Sequence, residues 1–298
     1  MDDGRSQQIV AVSISFLVPS WVLVLLRCYV RFWVKRFFGA DDYLAVASLV
    51  AYTVFCAVVI AGARNGIGKH MRDLAPETAE MGLLYFLLAE LAYVVSTLLV
   101  KLSICVFLLR IAISRYQILI LRALAVIQLI FAIFFFFFLL FQCSPISYFW
   151  ERLRPANPGG GTCHTRAVIK AAYAHAASVC LGDVTLAILP LFIVWNMTLH
   201  RRTKISVAVL LAFGSIAIVA TIARFPYLGL LNDAEDLLYS ITDITIWAVV
   251  EVGMAIIASA IPTLRPLLGK VRILGLSTGS RESQGRRGSS RVDLSVHA

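Results

Sequence analysis

Seven stretches of mostly apolar residues, separated by short polar segments, divide the chain. Each is close to or longer than the roughly 20 residues that a helix needs to cross the hydrocarbon of a bilayer. No strand-like alternation of apolar and polar residues competes with this pattern. The stretches run from Ile9 to Val30, Tyr43 to Ala63, Met81 to Leu109, Ile118 to Phe141, Val168 to Trp195, Ile205 to Phe225 and Leu237 to Ile261. The sequence therefore predicts an all-α, polytopic membrane bundle of seven transmembrane helices over residues 1–268.

Composition agrees with a multi-pass membrane protein. Of the 298 residues, 60% are hydrophobic and 15% are charged, whereas charged residues make up about 25% of an ordinary soluble domain. The net charge of +10 comes mainly from Lys and Arg on one side of the predicted membrane. They lie at and after the end of the first span, where Arg27 and Arg31 are counted, after the third and fifth spans, and in the tail. By the positive-inside rule, the amino terminus is outside and the carboxyl terminus is cytoplasmic. This distribution accounts for the basic charge without a nucleic-acid partner, so the bilayer is the partner that it predicts.

The last segment, residues 269–298, differs from the rest in composition. It is rich in Ser, Gly and Arg and has few apolar residues. Such a segment cannot bury enough apolar surface to offset the entropy lost on ordering. We expect a disordered, basic cytoplasmic tail that can rest on anionic lipid.

Two cysteines bracket the fourth loop, which is predicted to face the oxidising side of the membrane. Cys143 and Cys163 are therefore a disulfide candidate. The alternative is a pair of unpaired thiols, because sequence alone does not fix cysteine pairing.

Seven of the ionisable residues inside the predicted spans are candidates for function, because charge there is costly and normally faces a partner or a cavity. On the third helix, the eleven residues from Glu90 to Lys101 make about three turns, which places both side chains on one face roughly 16 Å apart. Arg224 can neutralise Asp243 or Glu90, and Lys101 can neutralise Asp183 or Glu251. The full set is Glu90, Lys101, His175, Asp183, Arg224, Asp243 and Glu251.

These residues allow three interpretations. In a binding site, a few polar groups among aromatic side chains would fix a ligand; the candidates are Glu90, Lys101, His175, Arg224, Asp243 and Trp247. In an enzyme, a protonated carboxyl of Asp183 or Glu251 would serve as a general acid toward a hydrophobic substrate. In the third interpretation, the charges are structural pairs that hold the helices together.

Standard motifs for metal or cofactor chemistry do not occur in the sequence. There is no zinc-protease helix motif, phosphate-binding glycine loop or nucleophile elbow. His70, Asp73, Cys163 and His164 lie in outer loops, but no paired-ligand spacing supports a metal site there. We expect neither a metal nor a cofactor.

Several short motifs, taken in order, resemble the fungal rhodopsin-like integral membrane proteins. That group includes receptor-like proteins of plant pathogens and a membrane protein of the satratoxin biosynthetic cluster. The resemblance covers about residues 8 to 268. Its motifs are Asp41-Asp42-Tyr43-Leu44, Gly66-Ile67-Gly68-Lys69-His70 with Asp73-Leu74, Lys101-Leu102-Ser103 with Phe107 and Arg110, Phe141-Gln142-Cys143-Ser144-Pro145 with Trp150 and Cys163, Asp183 with Pro190, Arg224, and Asp243 through Trp247 to Glu251 and Pro262.

The resemblance implies a seven-helix shape but not photochemistry, because the predicted seventh helix has no lysine to form a retinal Schiff base. It also lacks the Asn-Pro-x-x-Tyr motif of animal-type receptors. We expect an accessory or receptor-like protein of specialised metabolism that binds a small lipophilic metabolite and has a signalling or pathway partner in the cytoplasm. The alternative is a cofactor-independent, membrane-embedded cyclase or isomerase.

Overall fold

The computed structural model describes residues 3–112, 114–152, 160–195, 214–216, 218–227 and 237–264. Helices account for nearly all of these residues, as the apolar pattern predicts. The longer helices are α1 Asp3–Tyr29, α2 Ala40–Arg64, α3 Pro76–Leu109, α4 Arg115–Leu140, α6 Thr165–Trp195 and α8 Leu237–Ala260. Shorter helical elements are α5 Tyr148–Glu151, a π-helical turn Val30–Val34 after α1, and 3-10 turns Met71–Asp73 and Ile261–Leu264. Residues 218–227 are also helical and are called α7 here.

Six helices in the described ranges are long and apolar enough to cross a membrane. They correspond to the predicted first to fifth and seventh spans, so the multi-pass membrane fold is confirmed. Most of the predicted sixth span, Ile205 to Phe225, lies outside the described residues, as does the tail 269–298. The count of seven and the orientation of the termini therefore stay predictions.

Several helices extend beyond the apolar stretches that predicted them. The α3 helix begins at Pro76, five residues before the predicted start at Met81. Proline suits the first turn of a helix, since the amide hydrogen that it lacks would have no partner in the helix there. Hydropathy detects the part of a helix inside the hydrocarbon, so it misses polar turns that project beyond it.

The α8 helix lies at the centre of the described bundle. Within its most apolar stretch, 72% of residues are buried, compared with 28% for α4. The exposed face of α4 carries large apolar side chains, among them Phe134 and Phe137. In a bilayer such a face contacts lipid, so α4 is peripheral and α8 is the core helix.

Close approach of α8 to α1 and α2 requires a small residue at position 253. A Cβ atom at Gly253 would lie 2.7 Å from the hydroxyl of Tyr52 and 2.9 Å from Cβ of Phe16. Tyr52 instead donates a hydrogen bond to the carbonyl of Val249 at 3.1 Å. The glycine therefore allows a tyrosine of α2 to bind the backbone of α8.

A two-stranded antiparallel ribbon connects α4 and α6. Strand β1, Cys143–Ser144, pairs with β2, Thr162–Cys163, and the two cysteines lie opposite each other. They form a disulfide. We call this side of the bundle the disulfide end; it corresponds to the predicted outer face.

Candidate functional site

Lys101 and Asp183 form an ion pair between α3 and α6. The Nζ atom of Lys101 lies 2.8 Å from Oδ1 of Asp183, and their side chains are 3% and 10% exposed. Lys101 also donates to the carbonyl of Val179 at 2.8 Å. The sequence left Asp183 and Glu251 open as partners of Lys101, and the structure selects Asp183.

Arg224 of α7 forms the second buried pair, with Glu90 of α3. An Nη atom of Arg224 lies 3.0 Å from Oε1 of Glu90. The guanidinium carbon also lies 4.2 Å from the centre of the Tyr93 ring. Of the two acids considered for Arg224, the structure therefore places Glu90, and not Asp243, beside it.

Glu251 is buried at the centre of the bundle and has a neutral partner. The hydroxyl of Tyr93 donates to the Glu251 carboxylate, at 3.0 Å from one oxygen and 3.1 Å from the other. Because the same ring lies beneath Arg224, Tyr93 connects Arg224 with Glu251. The sequence did not predict a tyrosine as the partner of Glu251.

Asp243 lies apart from these pairs. An Nη atom of Arg5, at the start of α1, is 3.2 Å from Oδ2 of Asp243, and the two side chains are 32% and 27% exposed. The guanidinium of Arg5 also lies 4.4 Å from the centre of the Tyr239 ring. Asp243 therefore anchors the first helix and does not join the central group of charges.

The two ring-bearing candidates differ in position. His175 is buried, stacks on Phe135 with ring centres 4.5 Å apart, and meets the edge of Tyr93 at 6.4 Å. Trp247 is half-buried. Neither lines the cavity described next.

A partly open cavity of about 70 Å³ lies at the disulfide end. On the same measure, one water molecule needs about 10–15 Å³, so the space holds a group of several heavy atoms. Most of its wall is apolar, and Glu90, Gln142 and Arg152 supply the larger polar groups. The cavity is lined by Phe86, Leu87, Glu90, Phe135, Leu139, Gln142, Cys143, Phe149, Arg152, Cys163, Thr165, Val168, Ile169, Ala172, Leu237 and Ile244.

Of the charged residues predicted as ligand-binding or catalytic candidates, Glu90 lines this cavity. The others do not line it: Lys101, Asp183, Arg224, Asp243 and Glu251. Arg152 was not predicted. It follows α5 in the loop between the strands, and burial lowers the pKa of its guanidinium below the ordinary value. Its sequence signal is weak, because an arginine in a polar loop looks like an ordinary surface charge.

A second group of buried charges lies at the opposite end of the bundle. Arg27 binds Asp41 at 2.8 Å and Asp42 at 2.9 Å, and also donates to the carbonyl of Ser259 at 2.6 Å. Arg31 lies 2.8 Å from Asp41. We call Arg27, Arg31, Asp41 and Asp42 the arginine cluster; all four are buried.

The arginine cluster corrects one element of the sequence analysis. The positive-inside count placed Arg27 and Arg31 on the cytoplasmic side at the end of the first span, yet both side chains are buried and paired with acids. Two signals were available: a four-residue spacing, which puts both on one face of a helix, and the acids Asp41-Asp42 at the start of the next span. The cluster joins α1, α2 and the end of α8, so its role is structural.

Metal chemistry gains no support from the described part of the chain, where no three His, Cys, Asp or Glu side chains group as ligands. Of the loop residues considered for a metal, Cys163 is in the disulfide with Cys143. His70 stacks on Tyr239 at 4.2 Å.

Comparison with known proteins identifies the family. A model of the fungal rhodopsin domain matches residues 26–270. The "Polyenoic acids biosynthesis gene cluster protein Ba17b" of Metarhizium anisopliae is 25% identical over 85% of this chain and 71% of its own length. A "SAT4 family membrane protein" of Emericella nidulans is 24% identical over 78% of this chain and 59% of its own length.

A third relative is named for another biosynthetic cluster. "Fugralins biosynthesis cluster protein 2" of Gibberella zeae is 22% identical over 45% of this chain and 32% of its own length. No solved structure matches the chain. The family model covers most of the sequence, and the helices have the length and hydropathy of membrane spans. The chain therefore belongs to the fungal rhodopsin family of multi-pass membrane proteins.

Proposed function

We propose that this protein binds a small lipophilic metabolite in the cavity at the disulfide end and acts as an accessory or receptor-like component of fungal specialised metabolism. The observation that carries the proposal is the cavity itself. It has apolar walls from α3, α4, α6 and α8 and a few polar groups, the composition that small-molecule sites usually have. Its volume accepts part of a metabolite, so the remainder extends through the open side.

The positions of the two candidate acids favour binding over acid catalysis. Asp183 is paired with Lys101 and Glu251 accepts from Tyr93, and neither lines the cavity. A general acid must come within hydrogen-bond distance of the atom that it protonates. A substrate in this cavity would not meet that requirement at either carboxyl.

The relatives support the metabolic setting. Two of them are named for biosynthetic clusters, one for polyenoic acids and one for fugralins. A polyenoic acid combines a long apolar chain with one carboxyl group, which is the kind of amphiphile that an apolar cavity with few polar groups suits. A cytoplasmic signalling or pathway partner would then respond to occupancy of the cavity.

The proposal is tested by photolabelling the full chain in detergent micelles with a diazirine-bearing dodecanol. Ala172 is buried in the cavity wall, while Ala174, two residues later on α6, is exposed toward lipid. Ala172→Phe fills the cavity, and Ala174→Phe is the matched control that adds the same ring outside it. We expect saturable labelling in the wild type and in the control, and its loss in Ala172→Phe.

Equal labelling of all three proteins, with no saturable component, would contradict the proposal. Labelling of that kind would mean that the probe contacts only the outer surface of the bundle. Thermal unfolding of each purified variant identifies any change that comes from misfolding.

A further inference from the structure

Arg152 is a half-buried cation that lines the cavity without a carboxylate partner among the described residues. Its guanidinium carbon lies 5.2 Å from the centre of the Phe149 ring, so the cation contacts an aromatic face. A contact of this kind is weak compared with the free energy that burying an unpaired ion costs. Among the described residues, Arg152 therefore has no carboxylate that offsets the cost of its partial burial.

Among the described residues that line the cavity, the charges do not balance. Glu90 is the acid in the wall, and Arg224 already lies 3.0 Å from it. That pair is neutral overall, so Arg152 leaves one positive charge without a balancing acid among the lining residues that the structure describes. Gln142 also lines the cavity and has an amide group that can donate hydrogen bonds.

The polar and apolar parts of the wall come from different segments. Gln142 and Arg152 belong to the connection between α4 and α6, whereas Phe86, Phe135 and Leu139 come from α3 and α4. A ligand that satisfied both parts would carry an acceptor group on an apolar body.

We propose that the ligand of this cavity is a carboxylate amphiphile, with its carboxylate bound by Arg152 and its chain against the apolar wall. This inference rests on the proposed function and specifies its ligand class. A guanidinium presents two parallel N–H groups that match the two oxygens of a carboxylate. One carboxylate would also neutralise the charge of Arg152, which has no balancing acid in the described part of the wall. Anionic phospholipids share the anion and apolar-chain chemistry, but two acyl chains are less suited to so small a space.

The test compares two competitors with the same chain, dodecanoic acid and dodecanol. Each is titrated over the same range of mole fractions against the diazirine-bearing dodecanol on the full chain in micelles, at a pH where the acid is ionised. In the wild type, we expect dodecanoic acid to displace the label at a roughly tenfold lower mole fraction than dodecanol, the size of effect expected for a charge-assisted hydrogen bond. This comparison requires no variant.

Two variants test whether Arg152 causes the preference for dodecanoic acid over dodecanol. Arg152→Gln removes the charge in the cavity, and Arg166→Gln removes an exposed charge near the start of α6 that does not line it. We expect Arg152→Gln to abolish the preference for the acid and to leave displacement by dodecanol unchanged. We expect Arg166→Gln to retain the preference.

The outcomes separate this inference from the function on which it rests. If the label is not saturable, the proposed function fails. If the label is saturable but the acid and the alcohol displace it equally in the wild type, the function stands and the carboxylate assignment is overturned. A parallel loss of both competitors in Arg152→Gln would give Arg152 a structural role and also overturn the assignment. Displacement by phosphatidylglycerol as effective as that by dodecanoic acid would assign the site to membrane lipid instead.

Discussion

The guanidinium of Arg224 lies 3.0 Å from the carboxylate of Glu90, and their side chains are only 6% and 13% exposed. Glu90 also lines the cavity at the disulfide end. The same guanidinium contacts the ring of Tyr93, whose hydroxyl donates to Glu251. One wall residue of the cavity is thus held by a continuous series of contacts that reaches the centre of the bundle.

Breaking the Arg224–Glu90 pair from one side should be more harmful than removing it altogether. Glu90→Gln or Arg224→Met alone leaves one buried charge without its partner, at a cost of about 3–5 kcal/mol in the free energy of unfolding. The double variant leaves neither charge, so we expect a loss smaller than the sum of the two single losses. Unfolding by sodium dodecyl sulfate in mixed micelles measures all three variants, and additive losses would contradict the coupling.

The two candidate acids should respond differently to amide substitution. Asp183→Asn leaves Lys101 without its carboxylate, so we expect a loss of a few kcal/mol in unfolding free energy. In Glu251→Gln the side-chain oxygen still accepts from Tyr93, so we expect a loss of about 1 kcal/mol.

Neither amide variant should change saturable labelling by the dodecanol probe, because neither acid lines the cavity. Each is assayed below its unfolding temperature to separate binding from stability. Loss of labelling in a folded Asp183→Asn or Glu251→Gln protein would mean that the ligand contacts the central charges, and would restore acid catalysis as an interpretation.

Two arginines near Asp41, one inside the arginine cluster and one outside it, offer a matched pair of charge removals. Arg27 is 1% exposed and binds two acids, whereas Arg110 is 41% exposed and lies 3.6 Å from Asp41. We expect Arg27→Gln to cost about 3–5 kcal/mol of unfolding free energy and Arg110→Gln about 0–1 kcal/mol. Equal losses would indicate that the cluster does not stabilise the junction of α1, α2 and α8.

Opening the disulfide should loosen the cavity as well as the fold. Cys143 and Cys163 both line the cavity and are 20 residues apart, and a crosslink closing a loop of that size contributes about 3 kcal/mol. We expect the Cys143→Ser, Cys163→Ser double variant to lose stability and to bind the dodecanol probe more weakly. Cys180→Ser is the control, since Cys180 is a free thiol that does not line the cavity. If the double variant binds the dodecanol probe as strongly as Cys180→Ser does, the disulfide does not shape the cavity.

The sequence predicted the class of the fold because hydropathy is a local property. A run of apolar residues near 20 long identifies a membrane helix wherever its neighbours lie. The same reasoning located the intramembrane charges, since any ionisable residue in such a run is exceptional.

The partners of those charges could not be predicted in this way. Arg224 could reach Glu90 or Asp243 because the sequence does not specify which helices are adjacent in the bundle. Asp243 pairs with Arg5, which the sequence did not indicate as a partner. Arg152 was missed for a related reason. Hydropathy does not indicate whether a residue in an irregular loop is buried, because that depends on how the residue packs against the helices.

The most direct measurement of the central claim is a residue-level map of the diazirine-bearing dodecanol label on α4. Phe135 is 3% exposed and lines the cavity, whereas its neighbours Phe134 and Phe137 are 58% and 52% exposed toward lipid. We predict label at Phe135 that saturates and is displaced by excess unlabelled competitor, with only non-saturable label at Phe134 and Phe137. Label at the lipid-facing pair with none at Phe135 would show that no lipophilic ligand enters the cavity, and would contradict the proposed function.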